Sequence, residues 1–160
     1  MLNSPGEADR LIAHSLCVEE ALGLAQLKAV EISTANSGKW DELLENALHK
    51  QRCAAPRAFE QRLTILMKFL KSVSSDPAQV VRDIEVEGLA MLSAADICKS
   101  DPDRWIDCAK EVVRKVDVAD PSLFEKKLIY RLMYLRDLRE SALSRAGVSP
   151  TEAVWRRQAS

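Results

Sequence analysis

Two histidine–cysteine pairs are the combination best suited to chemistry in this chain. His14 precedes Cys17 by three residues and His49 precedes Cys53 by four, spacings that place both members of a pair on one helix face. Imidazole nitrogen and thiolate are good Zn²⁺ ligands, and the two pairs together would complete a tetrahedral set. Either pair could also supply a thiolate and its base, but nucleophilic catalysis needs a third group to orient the imidazole and donors for an oxyanion. No spacing supplies those. The four cysteines Cys17, Cys53, Cys98 and Cys108 have no CxxC arrangement, so free thiols in a reducing compartment are expected and no metal ligand is assigned.

The carboxylates Glu19, Glu20, Asp83, Glu85 and Glu87 could act as acids or bases only if desolvated or paired; solvated helix faces are expected instead. A di-metal carboxylate bundle would want Glu-x-x-His motifs, which the sequence lacks. Gly38-Lys39 is without the glycine spacing of a phosphate loop, and Gly23 stands alone. No catalytic residue and no cofactor are therefore assigned. An enzyme would have to assemble its site from dispersed carboxylates or Cys/His pairs.

Charge is balanced overall, 23 Lys plus Arg against 24 Asp plus Glu, but residues 121–160 carry 8 basic and 4 acidic side chains. This argues against a protein wholly devoted to coating nucleic acid, while leaving room for an anionic partner near the C-terminus. Candidate contacts to such a partner are Lys126, Lys127, Arg131, Arg136, Arg139, Arg145, Arg156 and Arg157. On a helix turning about 100° per residue from Phe124, Leu128, Leu132, Leu135, Leu138 and Ala142 share one arc. Arg131 and Arg139 fall inside or beside it, so each must snorkel, pair with an acid or bind something. Lys126, Lys127, Tyr130, Tyr134 and Asp137 are assigned to the other side.

The elements that position these residues announce themselves by punctuation. Ser4-Pro5, Asp76-Pro77, Asp101-Pro102, Asp120-Pro121 and Ser149-Pro150 each place a helix-capping side chain before a proline suited to a first helical turn. Apolar periodicity then predicts helices over 5–34, 38–54, 57–73, 77–97, 102–117, 121–146 and 150–157. Glu7 and Gln79 are placed to complete capping boxes with Ser4 and Asp76, Asn36-Ser37-Gly38 reads as a turn, and Gly147 as a left-handed cap. Gly23 marks a bend or a close approach in the first helix, and Trp40 is expected in the core. The fold class is all-α: a single domain over 4–157, a bundle of six or seven mostly antiparallel helices. The segment 57–73 shows two apolar faces and is expected at its centre. The Asp-Pro steps at 76, 101 and 120 are unequally spaced, so they are taken as shared punctuation and not as a repeat.

Residues 1–6 carry no basic-then-apolar signal, and no run of about 18 apolar residues occurs; a cytoplasmic protein of bacterial type with no membrane partner is expected. Surplus apolarity points to the function. Ile65, Phe69, Ile129, Met133 and Trp155 exceed the stripe each helix needs, and with Tyr130 and Tyr134 they form the predicted partner-binding set. The expectation is a regulatory helical module that buries this face against another protein or, as a homodimer, against itself. Nucleic-acid binding through the basic C-terminal helices is the alternative.

Overall fold

The computed structural model describes residues 5–147. Within them lie six α-helices: α1 (Pro5–Ser33), α2 (Trp40–Lys50), α3 (Pro56–Ser72), α4 (Pro77–Ile97), α5 (Trp105–Lys115) and α6 (Pro121–Arg145). Single 3₁₀ turns at Ser37–Lys39 and Pro102–Arg104 lead into α2 and α5. No strand occurs among the described residues, and the architecture is an all-α bundle. The predicted helix at 150–157, with Trp155, Arg156 and Arg157, lies outside the described residues, as does the Ser4 cap.

The Asp-Pro punctuation acts as its chemistry suggests. Asp120 Oδ1 accepts the Leu123 N–H at 3.1 Å, and Asp76 Oδ1 accepts the Gln79 N–H at 3.2 Å. Asp76 does so from a left-handed backbone, φ 41°, a region aspartate tolerates better than most residues. The second half of that capping box does not form, because the Gln79 side-chain oxygen accepts from Arg82 while its amide nitrogen donates to Asp83. Asp101 opens a 3₁₀ turn instead of an α-helix. Gly147 has φ 78° and its N–H reaches the Ser144 carbonyl at 3.0 Å, ending α6. Helix α2 stops at Lys50, short of 54, where Gln51 turns extended and its side chain accepts the Cys53 N–H.

The centre of the bundle is α1 against α4, not α3. Ala21, Ala25 and Ala29 on α1 and Ala90 and Ala94 on α4 are fully buried, and Gly23 meets Gly88 where the helices cross. A Cβ on Gly23 would stand 2.8 Å from Leu92 Cγ and 2.9 Å from the Gly88 carbonyl oxygen; one on Gly88 would stand 2.8 Å from Gln26 Cβ. Helix α1 is therefore continuous at Gly23, and glycine serves there for close approach. Helix α3 lies on the flank of α1. It buries Phe59, Leu63, Leu66, Met67 and Leu70 and leaves its second apolar face in solvent.

The packing also overturns the expectation that nothing repeats. Helices α1–α2–α3 and α4–α5–α6 are two copies of one unit, related by 65 residues: long helix, 3₁₀ turn, 11-residue helix, Pro-initiated helix. Gly23 and Gly88, Trp40 and Trp105, Pro56 and Pro121, Phe59 and Phe124, Leu63 and Leu128, and Leu70 and Leu135 occupy equivalent positions. The two tryptophans make the same bond, Nε1 to a carbonyl five residues earlier, each at 3.0 Å. Trp40 is half-buried against the first core, whereas Trp105 is buried in the second. The contacts at the crossing are reciprocal, Gly23 to Leu92 and Gly88 to Leu27, as in a two-fold, self-complementary interface. The repeat spans three helices, so successive Asp-Pro steps do not measure its period. Outside the repeat, Ala8 and Ile12 near the start of α1 pack on Ala142 and Leu143 near the end of α6.

Candidate functional site

Helix α6 turns Phe124, Leu128, Leu132 and Leu135 into the second core. A helix that buries this arc must present the residues beside it, and α6 presents apolar ones. Ile129 (46% exposed), Tyr130 (64%), Met133 (50%) and Tyr134 (44%) form two rows spaced four residues apart, which lie side by side on a helix. On α3, Ile65 (62%) and Phe69 (49%) are also outside. These are not scattered residues. Ile65 is the 65-residue counterpart of Tyr130, and Phe69 of Tyr134, so both units expose apolar side chains at the same two positions. The counterparts of Ile129 and Met133 are Thr64 and Lys68, which makes the α6 face the wider.

Arg131 lies between the Tyr130–Tyr134 row and the buried arc, where the angular argument requires a reason for a cation. The reason is Glu19 on α1, 112 residues away in sequence: Arg131 Nε donates to Glu19 Oε2 at 2.6 Å and its Nη2 donates to Oε1. The side chains are only 13% and 2% exposed. Desolvation opposes the guanidinium charge, and the hydrogen bonds and attraction of Glu19 more than offset it, so the Arg131 pKa is raised. The guanidinium carbon also sits 4.6 Å from the Tyr134 ring centroid and 6.0 Å from that of Tyr130, within cation–π range. A buried ion pair thus supports two surface tyrosines from below.

That commitment removes Arg131 from the outward-facing cations. Lys127 is drawn back toward α4, 3.5 Å from Glu87, and so does not lie on the far side. Arg136 is shared between Asp137 and Glu140. Lys126, Arg139 and Arg145 form no ion pair with another described residue, and Arg156 and Arg157 lie outside the described residues. Of the predicted partner-binding set, α6 brings Ile129, Tyr130, Met133 and Tyr134 together, and Ile65 and Phe69 sit on α3.

The reactive pairs do not converge. His14 and His49 are exposed, Cys17 and Cys53 half-buried, and among the described residues no three His, Cys, Asp or Glu side chains gather as a metal site would require. Glu19, one of the carboxylates weighed for acid–base work, is held by Arg131. Burial, then the nearby Glu19 charge, pushes the Cys98 thiol up to about 12, leaving it protonated and unreactive at neutral pH. Among the described residues no helix is long and apolar enough to cross a membrane. Sequence reasoning named Arg131 as unusual but missed Glu19 as its partner, because nothing local links positions so distant. No family model matches the chain, and no curated protein or solved structure matches it.

Proposed function

We propose that this protein is a docking module that holds another protein, or a second copy of itself, on the outer face of α6, with the equivalent face of α3 as a subsidiary contact. The observation that supports this is the cluster of Ile129, Tyr130, Met133 and Tyr134 in solvent, with its tyrosines steadied by the buried Arg131–Glu19 pair. Tyrosine buries a large area at low entropic cost, and rigid aromatic anchors are where binding energy concentrates. Ordering them before binding lowers the cost of association. The nucleic-acid alternative draws on fewer outward cations, since Arg131, Lys127 and Arg136 are engaged with carboxylates.

Replacing Ile129 and Met133 with aspartate tests the proposal, because both side chains are exposed and the fold should survive. The wild-type protein should either gain mass with concentration in sedimentation equilibrium or retain a partner from its native extract, and the double variant should lose that behaviour by tenfold or more. A wild-type monomer at every concentration that retains no partner would sink the proposal. So would association that the two aspartates leave unchanged.

A further inference from the structure

Each half of the molecule serves as a control for the other, and they differ in the side chains where the short helix meets the long one. In the second half Trp105 and Ala109 of α5 are buried, and Val112, Val116 and Val118 pack against the core. The first half has Leu44 in place of Ala109, and Ala47, Gln51 and Cys53 in place of the three valines. Leu44, Ala47 and Cys53 are only half-buried against the first core, and polar Gln51 stands where the second half has Val116. No residue of α2 is buried. Between α1 and α2 an open cleft of about 530 Å³ remains, with Leu24, Ile32, Leu43 and Phe59 among its walls.

The charge changes at the same place. In the second half Glu111 pairs with both Arg114 and Lys115, and Asp117 follows. The equivalents of Glu111, Lys115 and Asp117 are Asn46, Lys50 and Arg52, and all three line the cleft. Lys50 has therefore lost the acid one turn before it, and Arg52 stands where the other unit has a carboxylate. Neither forms an ion pair with another described residue. The other charges of the wall are satisfied: Lys28 bonds Glu31 at 2.9 Å, and Glu20 lies 3.8 Å from Lys99.

An apolar cleft with two uncompensated cations at one end suits a ligand with an apolar body and an anionic end. Its volume lies within the range of small-molecule sites, and guanidinium and ammonium groups pair well with carboxylate. We propose that the α1–α2 cleft binds a small amphiphilic carboxylate, its alkyl chain against Leu24, Ile32, Leu43 and Phe59 and its head at Lys50 and Arg52. This site is separate from the α6 face and does not depend on it.

Decanoate, below its micelle-forming concentration, is the probe, titrated into the full chain by calorimetry. Alkylation of Cys53, a residue of the cleft wall, gives an independent readout by mass spectrometry. One equivalent should bind, and alkylation of Cys53 should slow at least fivefold while that of Cys108 does not change. Two variants restore the second half's residues: Asn46→Glu with Arg52→Asp should weaken binding at least tenfold, and Ala47→Val with Gln51→Val should abolish it. Decanol, tested on the wild-type protein, should bind at least tenfold more weakly, a comparison that requires no variant to fold. Absence of saturable decanoate binding, equal affinity for decanol, or an acidic peptide that protects Cys53 when decanoate does not would each overturn the proposal.

Discussion

The internal repeat turns the Glu19–Arg131 pair into a quantitative test. Its counterparts 65 residues away are Ile84 and Leu66, both buried in the first core, so the same chain solves equivalent positions once with charge and once with hydrocarbon. Arg131→Leu strands a carboxylate that is 2% exposed, and breaking a buried pair in this way costs about 3–5 kcal/mol. Glu19→Ile should cost about 3 kcal/mol, the low end of that range, because Arg131 retains 13% exposure and can reach water along the tyrosines. The double variant Glu19→Ile with Arg131→Leu should return to within about 1 kcal/mol of wild type or exceed it, since well-packed hydrophobic replacements of buried ion pairs are often neutral or stabilising. Urea unfolding followed by far-ultraviolet circular dichroism measures this directly. With a slope of about 2 kcal/mol per molar urea, Arg131→Leu should lower the midpoint by roughly 1.5–2.5 M, and the second substitution should restore it. A double variant as unstable as the sum of the singles would refute both the coupling and the equivalence of the two units.

Close packing and burial set three further expectations. Gly23→Ala and Gly88→Ala should each destabilise by about 1–3 kcal/mol despite alanine's better helix propensity, because the new methyl meets α1 or α4 at 2.8–2.9 Å; Gly38→Ala, whose nearest neighbour is at 3.6 Å, should be close to neutral in the same urea assay. Iodoacetamide at pH 8 should label Cys17, Cys53 and Cys108 in the native protein well before Cys98, whose thiol ionises only near 12. The raised pKa also sets a sign for stability. The folded state keeps this thiol neutral, so its contribution is whole below about 9 and declines between 9 and 12, a loss that Cys98→Ala should reduce.

What could be read from the sequence was what local chemistry determines. Asp76 and Asp120 cap the first turns that Pro77 and Pro121 begin, and the Phe124, Leu128, Leu132 and Leu135 arc is buried, because caps and periodicity act within a few residues. The second face of α3 was legible as surplus apolarity, and Ile65 and Phe69 are exposed, but periodicity shows that a face exists and not what covers it. Placing α3 at the centre overlooked the alanines of α1 and α4, small side chains that score weakly as hydrophobic yet permit the closest approach. The cleft beside α2 was beyond local reasoning altogether. It is lined by Ala47, Gln51 and Cys53 where the second unit has three valines, a contrast that acquires meaning only once the two units are aligned.

Carrying both units on one backbone has a consequence for how the molecule behaves on dilution. Two separate copies meeting at a Gly23–Gly88 type of crossing would dissociate as their concentration fell, and their stability would depend on it. The linker at Val73–Asp76 makes that encounter intramolecular, at an effective concentration set by four residues of chain. Such tethering also frees each half from having to match the other. A glutamate introduced on one long helix of a true homodimer appears on both, whereas here Glu19 needed only one arginine to answer it, and the opposite side was left free to remain hydrocarbon.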